Sequence, residues 1–201
     1  MAEYFVLDCM SPLHAEHYQL EVGYPANDRR WEAGLLFSES DERETCHPPQ
    51  EPINVETVED TEVPPRIYPE LTWVPIPLLS RRLVDALKAA GVNNLQTYET
   101  KLVTRFGKNP PPEDLYLAVN LVGLLAAADL AKSKTNPEVA EKMISMDFHS
   151  LAIDPSKTHD VLMFRLAENV SAVIVHERVK QAVEAKGITS LSWFAPNQWA
   201  G

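Results

Sequence analysis

The feature that most constrains the fold is an internal repeat in the second half of the chain. Residues 80–95 align without gaps on residues 176–191, a spacing of 96 positions. The identical pairs are Arg82/Arg178, Ala86/Ala182, Ala89/Ala185, Gly91/Gly187 and Leu95/Leu191. In the first copy Ser80 is a good helix N-cap, an apolar stripe follows at helical spacing, and Gly91 lies where a helix ends at positive φ.

The repeat predicts two similar strand–helix–strand units in one domain, each helix being followed by a strand that begins with Val or Ile. Two copies are too few for a solenoid. The alternative is that any amphipathic helix with a glycine stop would align in this way.

Other segments place the chain in the α+β class, with a mixed or antiparallel sheet and a few amphipathic helices. Strands are predicted at residues 4–9, 31–37, 53–58, 95–98, 115–122 and 144–149, and a short helix at 136–143. We expect residues 1–70 to form N-terminal strands and an acidic, proline-rich segment. Residues 71–201 should form an α+β core, with both parts making one compact unit.

Most of the net charge of −11 lies in one stretch. Residues 38–70 hold ten acids against Arg43 and Arg66, so they carry −8, and six prolines make much of this stretch irregular. Such a charge disfavours nucleic acid and anionic membranes and favours a basic protein partner, although acidity also serves solubility. The predicted binding surface is Glu39, Asp41, Glu42, Glu44, Glu56, Glu59, Asp60 and Glu62.

The cysteine count and the apolar stretches indicate a cytoplasmic location. Cys9 and Cys46 make no disulfide framework, and the N-terminus is acidic where a signal peptide is basic. The longest apolar stretch, residues 115–128, contains Asn120 and Gly123 and is too short to cross a bilayer.

A search for catalytic motifs finds neither a nucleophile elbow, nor a Cys-x-x-Cys pair, nor a glycine-rich phosphate loop. We therefore expect no enzyme activity, no cofactor and no metal. His14 with His17, and Cys46 with His47, fit solvated loops better than metal sites. The best alternative is a metal-dependent enzyme that uses His149, Asp154, His159 and Asp160, which lie within twelve positions. A turn at Asp154 and a solvent-facing His149 explain these residues more simply.

Several segments resemble a known family. Residues 163–168, 174–179 and 187–194 resemble the C-terminal signature of a bacterial polymorphic-toxin immunity family of the myxobacterial type. Residues 31–34, 77–80 and 116–123, followed by Asp129, Leu130 and Ser133, fit the same family. The likeness covers most of the chain and is weakest at 38–70.

The resemblance implies a cytoplasmic antidote that binds and neutralises a cognate toxin domain, often a nuclease, delivered by contact between competing related bacteria. It carries over no catalytic residue. Nuclease domains bind phosphate and tend to be basic, so an acidic partner could occlude their surface. The sequence therefore predicts an immunity protein with an acidic toxin-binding surface. A regulatory protein-binding module unrelated to toxins is a further alternative.

Overall fold

The computed structural model describes residues 4–8, 17–23, 29–43, 46–58, 67–73, 75–104, 112–136 and 146–201. The helices are α1 (Arg81–Ala89) and α2 (Glu177–Ala185). The strands are β1 (Tyr4–Leu7), β2 (Gln19–Val22), β3 (Ile53–Val58), β4 (Leu71–Thr72), β5 (Leu78–Ser80), β6 (Leu95–Thr104), β7 (Tyr116–Leu121), β8 (Leu124–Leu125), β9 (Lys134–Thr135), β10 (Phe148–Ser150), β11 (Met163–Leu166), β12 (Val173–His176) and β13 (Trp193–Phe194). Short 3₁₀ helices span Arg29–Glu32, Pro155–Lys157 and Pro196–Gln198.

The strands form two large sheets and one small one. The six-stranded sheet has the order β2-β3-β6-β7-β5-β4, the five-stranded sheet β13-β1-β12-β11-β8, and β9 pairs with β10. Most neighbours are antiparallel, while β3 with β6 and β8 with β11 are parallel. The predicted α+β class with a mixed sheet is confirmed.

The internal repeat is visible in the strand register. In the first unit β5, α1 and β6 are consecutive and β7 lies between the two strands, antiparallel to both. In the second unit β12, α2 and β13 are consecutive and β1 occupies the place of β7.

The cross-strand partners match position by position. Ser80 faces Tyr116, and His176 faces Tyr4. Tyr98 faces Ala118, and Phe194 faces Val6. The inserted strand follows β6 in the first unit, whereas in the second it comes from the start of the chain. The structural equivalence of the two units therefore includes β7 and β1, which lie outside the residues that align in sequence.

One hydrophobic cluster joins the two units. It contains side chains from both helices and from both large sheets, including Leu83, Leu87, Val179, Val183 and Leu117. A second cluster lies under the 3₁₀ helix Arg29–Glu32, and a third lies beside β11 and β12. Burial of these apolar faces is the main driving force that holds the two units together.

The two helices begin at different caps. Ser80 Oγ accepts a hydrogen bond from Leu83 N and donates one to the buried carboxylate of Glu70. At the equivalent place in α2, the half-buried His176 accepts from Arg178 N through Nδ1. The helices end alike, because Gly91 and Gly187 both have positive φ as predicted.

We expect Ser80→Ala to lower the free energy of unfolding by about 1–2 kcal/mol, because it removes the cap and leaves buried Glu70 with one donor fewer. His176→Ala should cost less, about 0.5 kcal/mol, since this cap is partly open to water. Urea unfolding of the two variants tests the order, and equal losses would contradict the role of Glu70.

Most predicted strands are confirmed, with shifted ends. Residues 4–9, 53–58 and 115–122 contain β1, β3 and β7, and the strand predicted at 95–98 continues to Thr104. The strand predicted at 144–149 is wrong at residues 146 and 147, because β10 begins at Phe148, and residues 144 and 145 lie outside the described residues. The predicted helix 136–143 lies outside the described residues except for Asn136.

Two other predictions were wrong. Residues 31–37 form no strand: Trp31 belongs to the 3₁₀ helix, and Gly34 then turns the chain at φ +64°. The strands after the helices begin at Leu95 and Trp193, because the preceding Val92 and Ile188 are buried in the core just after the glycine turns.

Candidate functional site

The predicted acidic surface lies only partly in the described structure. Glu39 and Glu42 are exposed and Asp41 is half-exposed, all in the loop that leaves the 3₁₀ helix. Glu56 lies in β3 and is half-buried. Glu44, Glu59, Asp60 and Glu62 lie outside the described residues. The described acids of the loop therefore define the part of this surface that can be analysed.

The loop that begins at Ser38 and ends at Cys46, here called the acidic loop, is closed by backbone and side-chain hydrogen bonds. Ser38 N donates to Cys46 O at 2.8 Å, and Cys46 N donates to Arg43 O at 2.8 Å. His47 Nε2 donates to the Asp41 carbonyl at 2.8 Å. Cys46 is buried, so the Cys46–His47 pair serves the loop as structure.

Asp41 is already paired within the loop. Its carboxylate accepts the Arg43 backbone N and both Nε and Nη2 of the same side chain, each at 2.9 Å. These hydrogen bonds hold the pKa of the Asp41 carboxyl well below its usual value. Among the described acids of the loop, the free negative charge therefore comes from Glu39 and Glu42.

Two other acids of the stretch 38–70 serve the fold. Glu70 is 8% exposed and accepts Arg82 Nε at 2.7 Å, and this pairing raises the pKa of Arg82. The carboxylate of Glu51 accepts the backbone N of Glu99. The charge of −8 counted in the sequence thus overstates the acidity available to a partner.

The segment before the loop is anchored on aromatic side chains. Trp31 is 1% exposed and meets Phe37 and Tyr98 edge-to-face, with ring centroids 5.2 and 5.7 Å apart. The Arg30 guanidinium lies over the Phe37 ring at 5.4 Å and donates to His47 O. These contacts anchor both ends of the loop on the core.

Two side-chain amides fix the backbone between Gly34 and Ser38. Gln96 accepts Phe37 N at 2.8 Å through Oε1 and donates to Phe37 O at 2.9 Å through Nε2. Asn120, which is fully buried, donates to Leu35 O at 2.7 Å. Sequence reasoning did not find these two residues. Asn120 left a signal, since it is a polar amide inside the apolar strand β7, whereas Gln96 lies among other polar residues of β6 and left none.

The residues of the metal hypothesis do not come together. His149 is exposed on β10, as predicted. Asp154 accepts Ser156 N at 3.0 Å in the predicted turn, and His159 and Asp160 form a tight turn with both φ values positive. Within the ranges that the structure describes, no group of three or more His, Cys, Asp or Glu side chains could hold a metal ion.

Two shallow cavities lie at equivalent places in the repeat. One of about 290 Å³ lies at the start of α1 and is lined by Glu70, Ser80 and Arg82. The other, of about 330 Å³, lies at the start of α2 beside Tyr4 and Arg178. The charged pair in the first cavity, Glu70 with Arg82, is already engaged in an ion pair.

Comparison with known proteins gives a family assignment. A model of the Imm11 immunity protein family matches residues 10–196. No curated protein matches the chain. In the part of the chain with described structure, neither helix is long and apolar enough to span a membrane. The family match covers most of the chain, including both helices and the acidic loop, and on this ground the chain belongs to the Imm11 immunity protein family.

Proposed function

We propose that this chain is a cytoplasmic immunity protein that binds a contact-delivered toxin, a basic nuclease domain, and occludes its phosphate-binding surface. The family match supports an immunity function and, with it, a toxin protein as partner. The observation that supports an electrostatic mode of binding is the anchored loop with exposed Glu39 and Glu42. Opposite charges on two such surfaces would steer association.

The proposed binding surface contains the eight acids predicted from sequence, Glu39, Asp41, Glu42, Glu44, Glu56, Glu59, Asp60 and Glu62. Among the four described ones the weight falls on Glu39 and Glu42. Asp41 is neutralised by Arg43, and Glu56 is half-buried in a strand. An inhibitor of this kind acts by steric and electrostatic exclusion, so the proposal requires no catalytic group.

Neutralisation is tested by co-expression with the C-terminal domain of the protein encoded by the neighbouring gene, which under this proposal is the toxin and is here called the cognate toxin domain. Cells that express the toxin domain alone should stop growing, and co-expression of this chain should restore growth and yield a co-purifying complex. Failure of both would overturn the proposed function. Nuclease activity of the toxin domain, assayed on DNA and RNA, tests the narrower part of the proposal.

The double variant Glu39→Gln/Glu42→Gln should bind the inactivated cognate toxin domain with an association rate about 10-fold lower at low salt and a flatter salt dependence. The reason is that two uncompensated charges leave the approach surface. Stopped-flow or surface plasmon resonance at several ionic strengths measures both quantities.

A matched control is Asp85→Asn/Asp160→Asn, which removes the same charge elsewhere. Asp85 is exposed on α1, and Asp160 is exposed in the turn at 158–161. If both double variants slow association equally, net charge accounts for the effect and the loop has no special role. If neither does, the electrostatic mode is wrong while the immunity function stands.

A further inference from the structure

Exposed leucines gather beside the acidic loop. The large hydrophobic side chains exposed within the described residues are Leu35, Leu36, Ile67, Leu124, Leu130 and Phe194. Three of these six, Leu35, Leu36 and Leu124, belong to the junction between residues 33–37 and residues 122–125, which include β8. Leu36 is the most exposed of the three at 58%, and Leu35 and Leu124 are each 38% exposed. Single exposed leucines are ordinary, whereas several at one place mark interaction sites.

The junction is held closely from both sides. Gly123 N donates to Gly34 O at 2.7 Å, and Leu124 Cγ lies only 2.9 Å from where a Cβ on Gly34 would stand. Together with the Asn120 and Gln96 hydrogen bonds to Leu35 and Phe37, this contact fixes the backbone that carries the leucines. Side chains on a fixed backbone lose less entropy on binding, so the junction is preorganised for a partner.

The charges around the junction indicate the chemistry of that partner. Glu32, Glu39 and Glu42 are exposed and have no partner among the described residues. Two of the neighbouring cations are engaged instead, since Arg43 is bound to Asp41 and Arg30 lies on the Phe37 ring, while Arg29 is exposed. Three exposed carboxylates thus stand against one exposed cation besides the engaged ones. The junction therefore presents apolar side chains with carboxylates at their border, the arrangement of an interface with a hydrophobic centre and a polar rim.

We infer that the leucine junction, formed by Leu35, Leu36 and Leu124, is the centre of the interface, and that it fits an apolar depression bordered by Lys and Arg on the cognate toxin domain. This inference rests on the proposed function and deepens it. The acids of the loop steer and orient the encounter, whereas the leucines carry most of the affinity and slow the dissociation. The two sets of residues thus predict different kinetic effects.

The test is Leu36→Ser, measured by surface plasmon resonance against the inactivated cognate toxin domain. The Kd should rise at least about 10-fold, almost entirely through faster dissociation, with an association rate and salt dependence close to those of the unchanged chain. The fold should persist because Leu36 is exposed, and the urea midpoint verifies this. Leu130→Ser is the matched control, since Leu130 is 52% exposed in a different turn, and it should change Kd less than twofold.

The possible outcomes distinguish failure of the leucine junction from failure of the proposed function. If the Leu36→Ser variant binds the toxin domain as tightly as the unchanged chain does, the leucine junction is not the centre of the interface, and the proposed function stands. Absence of binding by the unchanged chain, with no growth protection, would overturn both. Light scattering tests a third outcome. If the unchanged chain is a dimer, and Leu36→Ser dissociates the dimer without changing the affinity for the toxin domain, the junction binds a second copy of this chain. That result would overturn the inference.

Discussion

Replacing Arg165 with methionine should lower the free energy of unfolding by about 3 kcal/mol. Arg165 lies in the middle of β11 and is 0% exposed. Its Nη1 donates to Val170 O at 2.8 Å, and its Nη2 donates to Trp31 O at 3.0 Å. Methionine fills a similar volume but donates no hydrogen bond, so two carbonyls lose their donor, at a cost of about 1–3 kcal/mol for each one that is left unsatisfied.

The position of Arg165 extends the effect beyond its own strand. The guanidinium lies 4.6 Å from the centre of the Trp73 ring, which packs in the cluster shared by the two helices. Through Trp31 the same group reaches the 3₁₀ helix that precedes the acidic loop. Arg165 therefore links the five-stranded sheet to the segment that we propose as the interface, and its loss should also loosen that segment.

Urea unfolding, followed by far-UV circular dichroism and tryptophan fluorescence, measures the change. Arg43→Met is the matched control: its side chain is 62% exposed and bonds a neighbour in the same loop, so it should leave the stability almost unchanged. Replacement of a buried ion by an apolar residue can be neutral when packing compensates. Equal stabilities of the two variants would show that this is the case here and would contradict the role given to Arg165.

The part of the fold that sequence predicted follows from local rules. Ser80 as a cap, Gly91 and Gly187 as helix ends, and the apolar stripes between them depend on residues within one or two turns of each other. These signals placed both helices and the strand that leads into each. The gapless alignment also indicated correctly that the two units are alike.

The part of the fold that the sequence did not predict depends on contacts between residues that are distant in the chain. Tyr4 and Tyr116 occupy equivalent places, but their strands lie outside the aligned segments, so no local pattern relates them. At residues 31–37 the strand propensity of the aromatic and aliphatic residues was outweighed by Gly34 and by burial of Trp31. A turn set by tertiary packing leaves only a weak trace in sequence.

The candidate site was located more narrowly by the structure than by charge counting. The acid count included Glu70 and Asp41 in the charge of −8, although Glu70 is buried and Asp41 is neutralised by Arg43. Conversely, hydropathy marks Leu35 and Leu36 as core residues, because exposure cannot be read from a short apolar run. Arg165 left a clearer signal, since a single cation inside the apolar strand Met163–Leu166 indicates a buried, hydrogen-bonded charge.

Replacing Gly34 with alanine should destabilise the fold by at least about 2 kcal/mol and weaken binding to the cognate toxin domain as well. The φ of +64° strains any residue with a Cβ. In addition, the new Cβ would lie 2.9 Å from the carbonyl carbon of Gly123 and 3.0 Å from its oxygen. This neighbour is backbone and is held by its own hydrogen bond to Gly34, so it cannot rotate away as a side chain would.

Gly187→Ala separates strain from steric clash. Gly187 has φ +76°, but a Cβ there would meet no atom within 4 Å, so its alanine variant should lose only about 1 kcal/mol. Urea unfolding of both variants gives the steric part as a difference. Relief of the clash must move residues 34–36 or residues 122–124. Gly34→Ala should therefore also raise the Kd for the toxin domain, measured under conditions where both variants are fully folded. Gly187→Ala should leave Kd unchanged, since its turn after α2 carries none of the leucines. If Gly34→Ala and Gly187→Ala lost equal stability, the backbone at the junction would be able to move with little change in free energy. This result would contradict the view that a fixed backbone carries the leucines.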